Sequence, residues 1–420
     1  MTKAFSKTFE YQLLNNGGDD KIFFIFCRPP IHLYLNMIKP LLFILFICPL
    51  GCFSQYVITG KVLNANDKTP IAKASVFLNN AIVGTTTDEN GAFTLTNARP
   101  GQYDLVVSCV GYEQAHQSIF INGNISLPPI ILAPKIMMLK EVKIRTRDDW
   151  ARLFEKFKCY FFGKSDYANQ CKILNADLLD MDYSSKTKIF TASSSDFLIV
   201  ENKALGYRIK YLVTELNANE FSGISYCEGS AQFEELKGTD LQQRRWQKNR
   251  LEAFQGSSMQ FLRATINGSY EKEGFMVFKL VRKPNPEYKG GFDGKYLQTL
   301  VNVPLGINDF IKLTDIKGQF AFGYPDCLYI LYDKKRQFRG HRFNKPLVDI
   351  PDEDDPTVAI VAFTEPYAYY DYNGIIINSR SAILDGSWGR KLIADLLPVD
   401  YTPEIDNVPK IPETPKIKEQ

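Results

Sequence analysis

The chain has 420 residues, and its 50 lysine and arginine side chains nearly balance 47 aspartate and glutamate side chains, which leaves a net charge of +3. A charge this small argues against nucleic acid as a partner, and the length allows about two or three domains. The 30 phenylalanine and 22 tyrosine residues favour a β-rich fold.

Residues 1–55 are predicted to be a leader that ends in a signal peptide. Met37 is followed by a lysine and then by the apolar run 41–47, the order of charge and hydrophobic core that marks an export signal. The pattern predicts that Met37 is the true start and that cleavage falls near Gln55. The mature protein is then expected in the periplasm, at the outer membrane or on the cell surface.

Two alternatives concern the same leader. Cys52 stands where a lipoprotein signal has its lipidated cysteine, so lipidation stays open, although Pro49 departs from that pattern. A single membrane anchor over 22–53 is disfavoured, because charged residues and prolines interrupt the apolar span of about 20 residues that a bilayer requires.

Residues 56–135 alternate short β-type runs with turn sequences, as a small β-sandwich does. Turns are predicted at 64–67, 88–91 and 99–101, where Asn, Asp, Gly and Pro cluster. The alternation places six side chains on the inner face: Val76, Phe93, Leu95, Tyr103, Leu105 and Val107. Exposed edge strands of such a sandwich suit the addition of a strand from a partner.

These segments resemble the carboxypeptidase-regulatory-like domain of exported Bacteroidetes proteins, a transthyretin-like sandwich that also precedes many TonB-dependent receptors. The resemblance is carried by five stretches: 60–62, 70–76, 84–93, 100–103 and 110–112. It implies a seven-stranded β-sandwich. It implies no catalytic activity, because the domain is named after the zinc carboxypeptidases beside which the fold was first seen.

The sequence beyond the sandwich predicts a linker strand over 136–147, a β-rich α+β domain over 148–402 and a disordered tail over 403–420. Helices are predicted over 148–162, where Asp148 or Asp149 is the expected cap, over 240–265 and over 386–397. The clearest strands are 189–192, 197–201, 206–212, 231–236, 274–280 and 329–333.

This larger part also carries a resemblance, to the C-terminal region of a family of exported Bacteroidetes proteins with a carboxypeptidase-like regulatory domain. The similar stretches are 161–163, 171–175, 199–207, 256–264 and 394–401. No established activity follows from this resemblance.

No catalytic residue, metal ligand or cofactor is predicted. A zinc peptidase needs two imidazoles and a carboxylate at fixed spacing, and the chain has only His32, His116 and His341, none of them in such a motif. Zinc carboxypeptidase activity is therefore specifically rejected. Ser257 lacks the GxSxG setting of a hydrolase nucleophile, so a turn or helix kink is expected there.

Five cysteines follow the leader, and no two of them form a CxxC pair. Cys159 and Cys171 flank a short segment and are candidates for a disulfide after export. The favoured alternative is that all five thiols are small buried side chains: Cys109, Cys159, Cys171, Cys227 and Cys327.

The most basic cluster of the chain is a candidate patch for an anionic ligand such as a lipid head group or an acidic glycan. It comprises Arg244, Arg245, Lys248, Arg250 and Arg263. The alternative, which charge runs usually favour, is a solvated helix face.

Two further stretches are candidate binding sites. The acidic run 352–355 lacks the spacing of a calcium loop and is predicted to be solvated. In the tyrosine-rich run 367–372, alternation predicts one buried face with one or two exposed rings.

These observations predict an exported cell-envelope protein with a binding or assembly role that is not catalytic. The expected partner is another envelope protein or a glycan, and membrane association stays open. Two alternatives remain: an enzyme that acts on envelope polymers through the C-terminal domain, and a surface lipoprotein that aids nutrient uptake.

Overall fold

The computed structural model describes five ranges: 56–135, 146–288, 296–316, 318–334 and 355–403. Several predictions lie outside these ranges, namely those for the leader with its signal peptide and Cys52, for most of the linker strand, for the run 352–354, for His341 and for the tail beyond 403. No helix within the five ranges is both long enough and apolar enough to cross a bilayer.

The first described part is a β-sandwich. Its strands are β1 (Tyr56–Asn64), β2 (Ser75–Leu78), β3 (Gly84–Thr86), β4 (Ala92–Ala98), β5 (Gly101–Ser108), β6 (Ala115–Ile121), β7 (Ile125–Ser126) and β8 (Ile130–Leu132). One sheet has the order β4-β1-β7 with β8 also on β1, and the other has the order β3-β2-β5-β6. β7 and β8 pair in parallel with successive parts of β1 and act as one interrupted strand, so the strands occupy the seven expected positions.

The core of the sandwich is the predicted one. All six side chains assigned to the inner face are buried, and they pack with the apolar side chains of β1 and β8. Phe93 lies opposite Gly60 in the β1–β4 pair. A Cβ atom on Gly60 would come within 2.6 Å of the Phe93 ring, so the glycine provides the space that the ring fills.

A second sheet follows the sandwich. Its strands are β9 (Cys171–Ile173), β10 (Leu179–Ser184), β11 (Ile189–Ser194), β12 (Leu198–Asn202), β13 (Tyr207–Asn219) and β14 (Ile224–Glu235). They have the order β10-β11-β13-β12-β9, with β14 beside β13. Helix α1 (Arg147–Phe162) packs Leu153, Phe157 and Phe161 into the core of this sheet. Thr146, rather than either predicted aspartate, caps α1, because its hydroxyl accepts a hydrogen bond from the Asp149 amide at 3.2 Å.

Two smaller sheets complete the described chain. The larger has the order β16-β15-β19-β20-β22 and the smaller β17-β18-β21. Their strands are β15 (Phe275–Pro284), β16 (Tyr296–Pro304), β17 (Ile311–Leu313), β18 (Gln319–Phe322), β19 (Cys327–Tyr332), β20 (Val358–Phe363), β21 (Ala368–Asp371) and β22 (Ala382–Gly386). The mainly β fold with an α+β second part is the predicted class, although only β15 and β19 among these strands were predicted.

The predicted helix over 240–265 is two helices, α2 (Asp240–Phe254) and α3 (Ser258–Ile266). The chain turns at Gly256, which has a φ of 73°, a conformation that favours glycine. Ser257 then caps α3 by accepting a hydrogen bond from the Gln260 amide. Of the two alternatives expected at Ser257, a turn or a helix kink, the structure has the turn, and the single long helix was wrong.

The predicted helix over 386–397 was also wrong. After the short α4 (Ile307–Phe310), the last helical turns are α5 (Ser387–Arg390) and a 3₁₀ turn over Ile393–Asp395. Between them the chain is extended, because the Arg390 carbonyl accepts a hydrogen bond from Lys164 just beyond α1. The remaining 3₁₀ turns are Ala168–Gln170, Ala176–Leu178 and Ser379–Ser381.

The sandwich and the second sheet are joined by backbone hydrogen bonds. The loop after β2 lies beside β14, where the Asn80 amide donates to the Ala231 carbonyl at 2.7 Å. The Phe77 ring, on the outer face of the sandwich, meets the Phe197 ring edge to face at 5.8 Å. The described chain from the sandwich onward is therefore one packed unit.

The five described cysteines are all free thiols. The disulfide considered between Cys159 and Cys171 is not formed, because Cys159 is exposed on α1 whereas Cys171 packs against the core of the second sheet. Burial raises the pKa of the Cys171 thiol to about 12. The expectation that all five are buried is also wrong, since Cys159 is exposed and the other four are only partly buried.

Candidate functional site

The five residues of the predicted basic patch do not form one surface. Arg244, Arg245 and Lys248 are exposed on one side of α2, whereas Arg250 is buried and Arg263 is partly buried. Three exposed cations on a helix match the solvated face that was the alternative. The sequence places all five close together, but the fold turns two of them inward.

Arg250 is a structural residue. Its guanidinium donates to the Leu205 carbonyl at 2.8 Å and to the Glu235 carboxylate at 2.7 Å, and it lies 3.9 Å from the centre of the Tyr207 ring. These contacts join α2 to β13 and β14. An anionic ligand would have to break them to reach this side chain.

Arg263 joins three segments that are distant in sequence. Its guanidinium donates to the carbonyls of Asn373 at 2.9 Å, Val399 at 2.7 Å and Tyr401 at 2.9 Å. Burial raises the pKa of the carboxyl groups of Asp371 and Asp400, and the charge of Arg263 opposes that rise in both. No local sequence pattern marks this role, because every partner lies more than a hundred residues away.

The candidate site is a cleft of about 1750 Å³ between the sandwich and the second sheet. On the sandwich side it is lined by residues of β5 and β6 and by the turn 109–114 between them. On the other side it is lined by residues of β11, β13 and β14 and by the stretch 371–379. No local sequence pattern predicts this site, since its two walls are about a hundred residues apart in the chain.

His116 lines the cleft beside a carboxylate. Its Nδ1 atom lies 2.8 Å from a carboxylate oxygen of Asp104 on the neighbouring strand. The hydrogen bond to Asp104 raises the pKa of His116, and Glu228 on the opposite wall adds to the rise, while burial opposes it. Asp104 also accepts a hydrogen bond from the side chain of Asn79. An imidazole oriented by a carboxylate can bind an anion or act as a base.

The opposite wall carries the Glu228 carboxylate, which is paired with Arg380, a residue that does not itself line the cleft. Arg380 donates to the carboxylates of Glu215 at 3.0 Å and Glu228 at 3.3 Å, and its guanidinium lies 4.4 Å from the centre of the Tyr226 ring. Cys227 also lines the cleft, but burial raises the pKa of its thiol to about 12. The Cys227 thiol is therefore neutral at physiological pH and is a poor nucleophile.

Two amide side chains that line the cleft each have one buried polar atom without a hydrogen-bond partner among the described residues. The side-chain oxygen of Gln102 and the side-chain nitrogen of Gln114 are buried, and neither has a partner within the described ranges. Such atoms are rare in folded proteins, where water or a ligand commonly completes them. At these two atoms the cleft therefore has an unused hydrogen-bond acceptor and an unused hydrogen-bond donor.

The part of the chain that the structure describes contains no group of three His, Cys, Asp or Glu side chains that could hold a metal ion. His116 lies within the described ranges, and His341 lies outside them. The rejection of zinc peptidase activity stays a prediction. In the tyrosine run, Tyr370 is buried, whereas Tyr367 and Tyr372 are 36% and 38% exposed, which confirms the predicted division into a core face and two exposed rings.

We expect the pKa of His116 to lie above its ordinary value of about 6.5, and to fall when Asp104 is changed to Asn. Because the folded state raises this pKa, protonated His116 stabilises the fold fully below the unfolded pKa, and that contribution is lost as pH rises through the folded pKa. NMR titration of the imidazole signals measures the shift, with His116→Gln assigning the resonance. An unchanged pKa in Asp104→Asn would contradict the role given to this pair.

A protein-family model matches the first part of the chain. Residues 58–144 match the family model of the CarboxypepD_reg-like domain. The match covers about a fifth of the chain and supports the resemblance seen in the sandwich sequence. The matched residues end before α1. No curated protein matches the chain.

Solved structures match only over short stretches. A chain of a type II cohesin–X-dockerin complex from Acetivibrio cellulolyticus is 17% identical over 26% of this chain and 76% of its own, with a TM-score of 0.19. The pilus 2b backbone protein of group B streptococcus is 19% identical over 19% and 41%, with a TM-score of 0.17. A 3-chlorocatechol 1,2-dioxygenase from Rhodococcus opacus is 14% identical over 20% and 60%, with a TM-score of 0.16. At such TM-scores, none of these matches bears on function.

Proposed function

We propose that this is an exported cell-envelope protein that binds a hydroxyl-rich ligand, such as an envelope oligosaccharide, in the cleft between the sandwich and the second sheet, without chemical conversion. The observation that carries the proposal is the lining of the cleft. Its two walls together carry hydroxyl, amide, carboxylate and imidazole side chains: Asn79, Gln102, Asp104, Ser108, Gln114, His116, Ser193, Asp196 and Glu228.

The chemistry of this lining suits sugars. A sugar hydroxyl both donates and accepts a hydrogen bond, so it pairs equally well with a carboxylate, an amide or a serine hydroxyl. Tyr112 and Tyr160 also line the cleft and supply aromatic surface of the kind that packs on the apolar face of a sugar ring. A ligand with hydroxyl groups would satisfy Gln102 and Gln114 if the walls adjust to admit it.

The size of the cleft favours a polymer. Pockets for small ligands measure about 300 to 1,000 Å³, and this cleft has a volume of about 1750 Å³ and is open to solvent. A segment of several sugar units would fill it. The family match supports a role other than catalysis, and it does so for the sandwich alone, which forms one wall of the cleft.

Binding of envelope oligosaccharides to the full chain, measured by calorimetry, tests the proposal. Asp104→Ala should weaken binding about tenfold, because a hydrogen bond to a charged group contributes about 1.5 to 3 kcal/mol. Asp315→Ala is the matched control, since Asp315 is exposed and lies outside the cleft. Equal affinities for the two variants, or no binding of any envelope glycan, would contradict the proposal.

The Asp104–His116 pair favours an enzyme that acts on envelope polymers as the second candidate. A carboxylate that orients an imidazole is the arrangement of a general base. The two candidates differ in what happens to the polymer. Release of new chain ends that stops in His116→Ala would support the enzyme, whereas binding with no release would support the first proposal.

A further inference from the structure

Two hairpin turns lie side by side at one end of the second sheet. The turn 185–188 joins β10 to β11, and the turn 220–223 joins β13 to β14. They are adjacent because Ile189 of β11 pairs with Asn219 of β13, and the Glu220 amide donates to the Lys188 carbonyl at 2.9 Å. We call residues 185–188 and 220–223 the paired tips.

The paired tips expose an aromatic ring in a fixed position. Phe221 is 84% exposed, and Ile224 beside it is 42% exposed. The turn is held by the Asn219 side chain, whose oxygen accepts hydrogen bonds from the amides of Phe221 at 2.9 Å and Ser222 at 3.1 Å. A held turn presents the ring with little conformational entropy left to lose on binding.

The charged side chains of the paired tips that form no ion pair with a described residue are both lysines. Lys186 and Lys188 are exposed, and neither forms an ion pair within the described ranges. The one acid on the tips, Glu220, already bonds to Lys156 and to the Tyr183 hydroxyl. Asp182 on β10 also has a partner. The end of the sheet is therefore an exposed ring flanked by two uncompensated cations.

We propose that the paired tips bind an anionic lipid surface, with Phe221 entering the interfacial layer and Lys186 and Lys188 meeting the phosphate groups. An aromatic ring is favourable at a membrane interface, and each lysine near an anionic surface adds about 1 kcal/mol. A contact of one ring and two lysines is weak and reversible. It orients the cleft relative to the membrane and does not depend on what the cleft binds.

Co-sedimentation of the full chain with vesicles tests this surface. We expect binding to phosphatidylcholine mixed with phosphatidylglycerol, weaker binding to phosphatidylcholine alone, and weaker binding at high salt. Phe221→Ser should weaken binding about tenfold, and the double variant Lys186→Gln/Lys188→Gln about thirtyfold. In Phe221→Trp, the emission of the added tryptophan should shift to the blue when the anionic vesicles are present.

The matched controls are Leu241→Ser and Lys248→Gln on α2, where Leu241 is 80% exposed and Lys248 is also exposed. These variants should bind vesicles like the unchanged protein. The ratio of vesicle binding between the tip variants and these controls therefore reports the contribution of the tips alone. Equal binding by Phe221→Ser and Leu241→Ser, or no blue shift in Phe221→Trp, would overturn the proposal. Loss of self-association in Phe221→Ser with unchanged vesicle binding would also overturn it, and would assign the tips to a second copy of the chain.

Discussion

Arg263→Met is expected to lower the free energy of unfolding by about 3 to 5 kcal/mol. Methionine keeps the length of the side chain but removes every donor, so the carbonyls of Asn373, Val399 and Tyr401 each lose a hydrogen bond. The substitution also removes a positive charge that opposes the rise in the pKa of Asp371 and of Asp400, although the charge of Arg99 still opposes that rise at Asp400. Urea denaturation followed by circular dichroism measures the change.

The matched control is Arg244→Met on α2. Both arginines belong to the predicted basic patch, but Arg244 is exposed, and exposed substitutions usually change stability by less than about 0.5 kcal/mol. If the two variants have the same stability, Arg263 does not join the segments as described. The comparison therefore separates a structural arginine from a surface arginine within one short stretch of sequence.

Phe93→Ala should cost about 3 to 5 kcal/mol, the range for removing a buried aromatic ring from a packed core. Phe93 is 4% exposed, and the space beside Gly60 that its ring fills would become a cavity. Because the sandwich is packed against the second sheet, we expect the whole unit to unfold at a lower denaturant concentration.

Thr94→Ala on the same strand is the control, since Thr94 is exposed. Thermal and chemical denaturation of both variants should show a large loss for Phe93→Ala and little change for Thr94→Ala. Similar losses in both would mean that the register of β4 differs from the one described. A loss near zero in Phe93→Ala would contradict the assignment of this ring to the core.

The sandwich was predictable because each strand and turn carries its own signal. In β5, Tyr103, Leu105 and Val107 point to the core at every second position, and that period identifies a half-buried strand. The turn before β4 contains Gly91 with a φ of 68°, a conformation that the sequence Asn-Gly favours. These signals lie within a few residues, so no distant contact is needed to detect them.

Many strands after the sandwich were harder to predict, because a fully buried strand has no alternating pattern. β20 is apolar at every position, Val-Ala-Ile-Val-Ala-Phe, and its first four residues are buried. A strand with both faces buried shows no alternation, so periodicity does not separate it from a buried helix. At 255–257 one continuous helix was predicted where the structure has two. Helical spacing continues on both sides of the break that Gly256 and Ser257 make, so periodicity alone does not detect it.

The class of fold and the sandwich with its six core residues follow from local sequence patterns, because these depend on neighbouring residues. The tertiary structure alone decided that Arg250 and Arg263 face inward, since their partners are carbonyls that only folding brings near. It alone placed His116 and Glu228 in one cleft. A helical or strand pattern identifies an apolar face. Which segment packs on that face depends on residues about a hundred positions away in the chain.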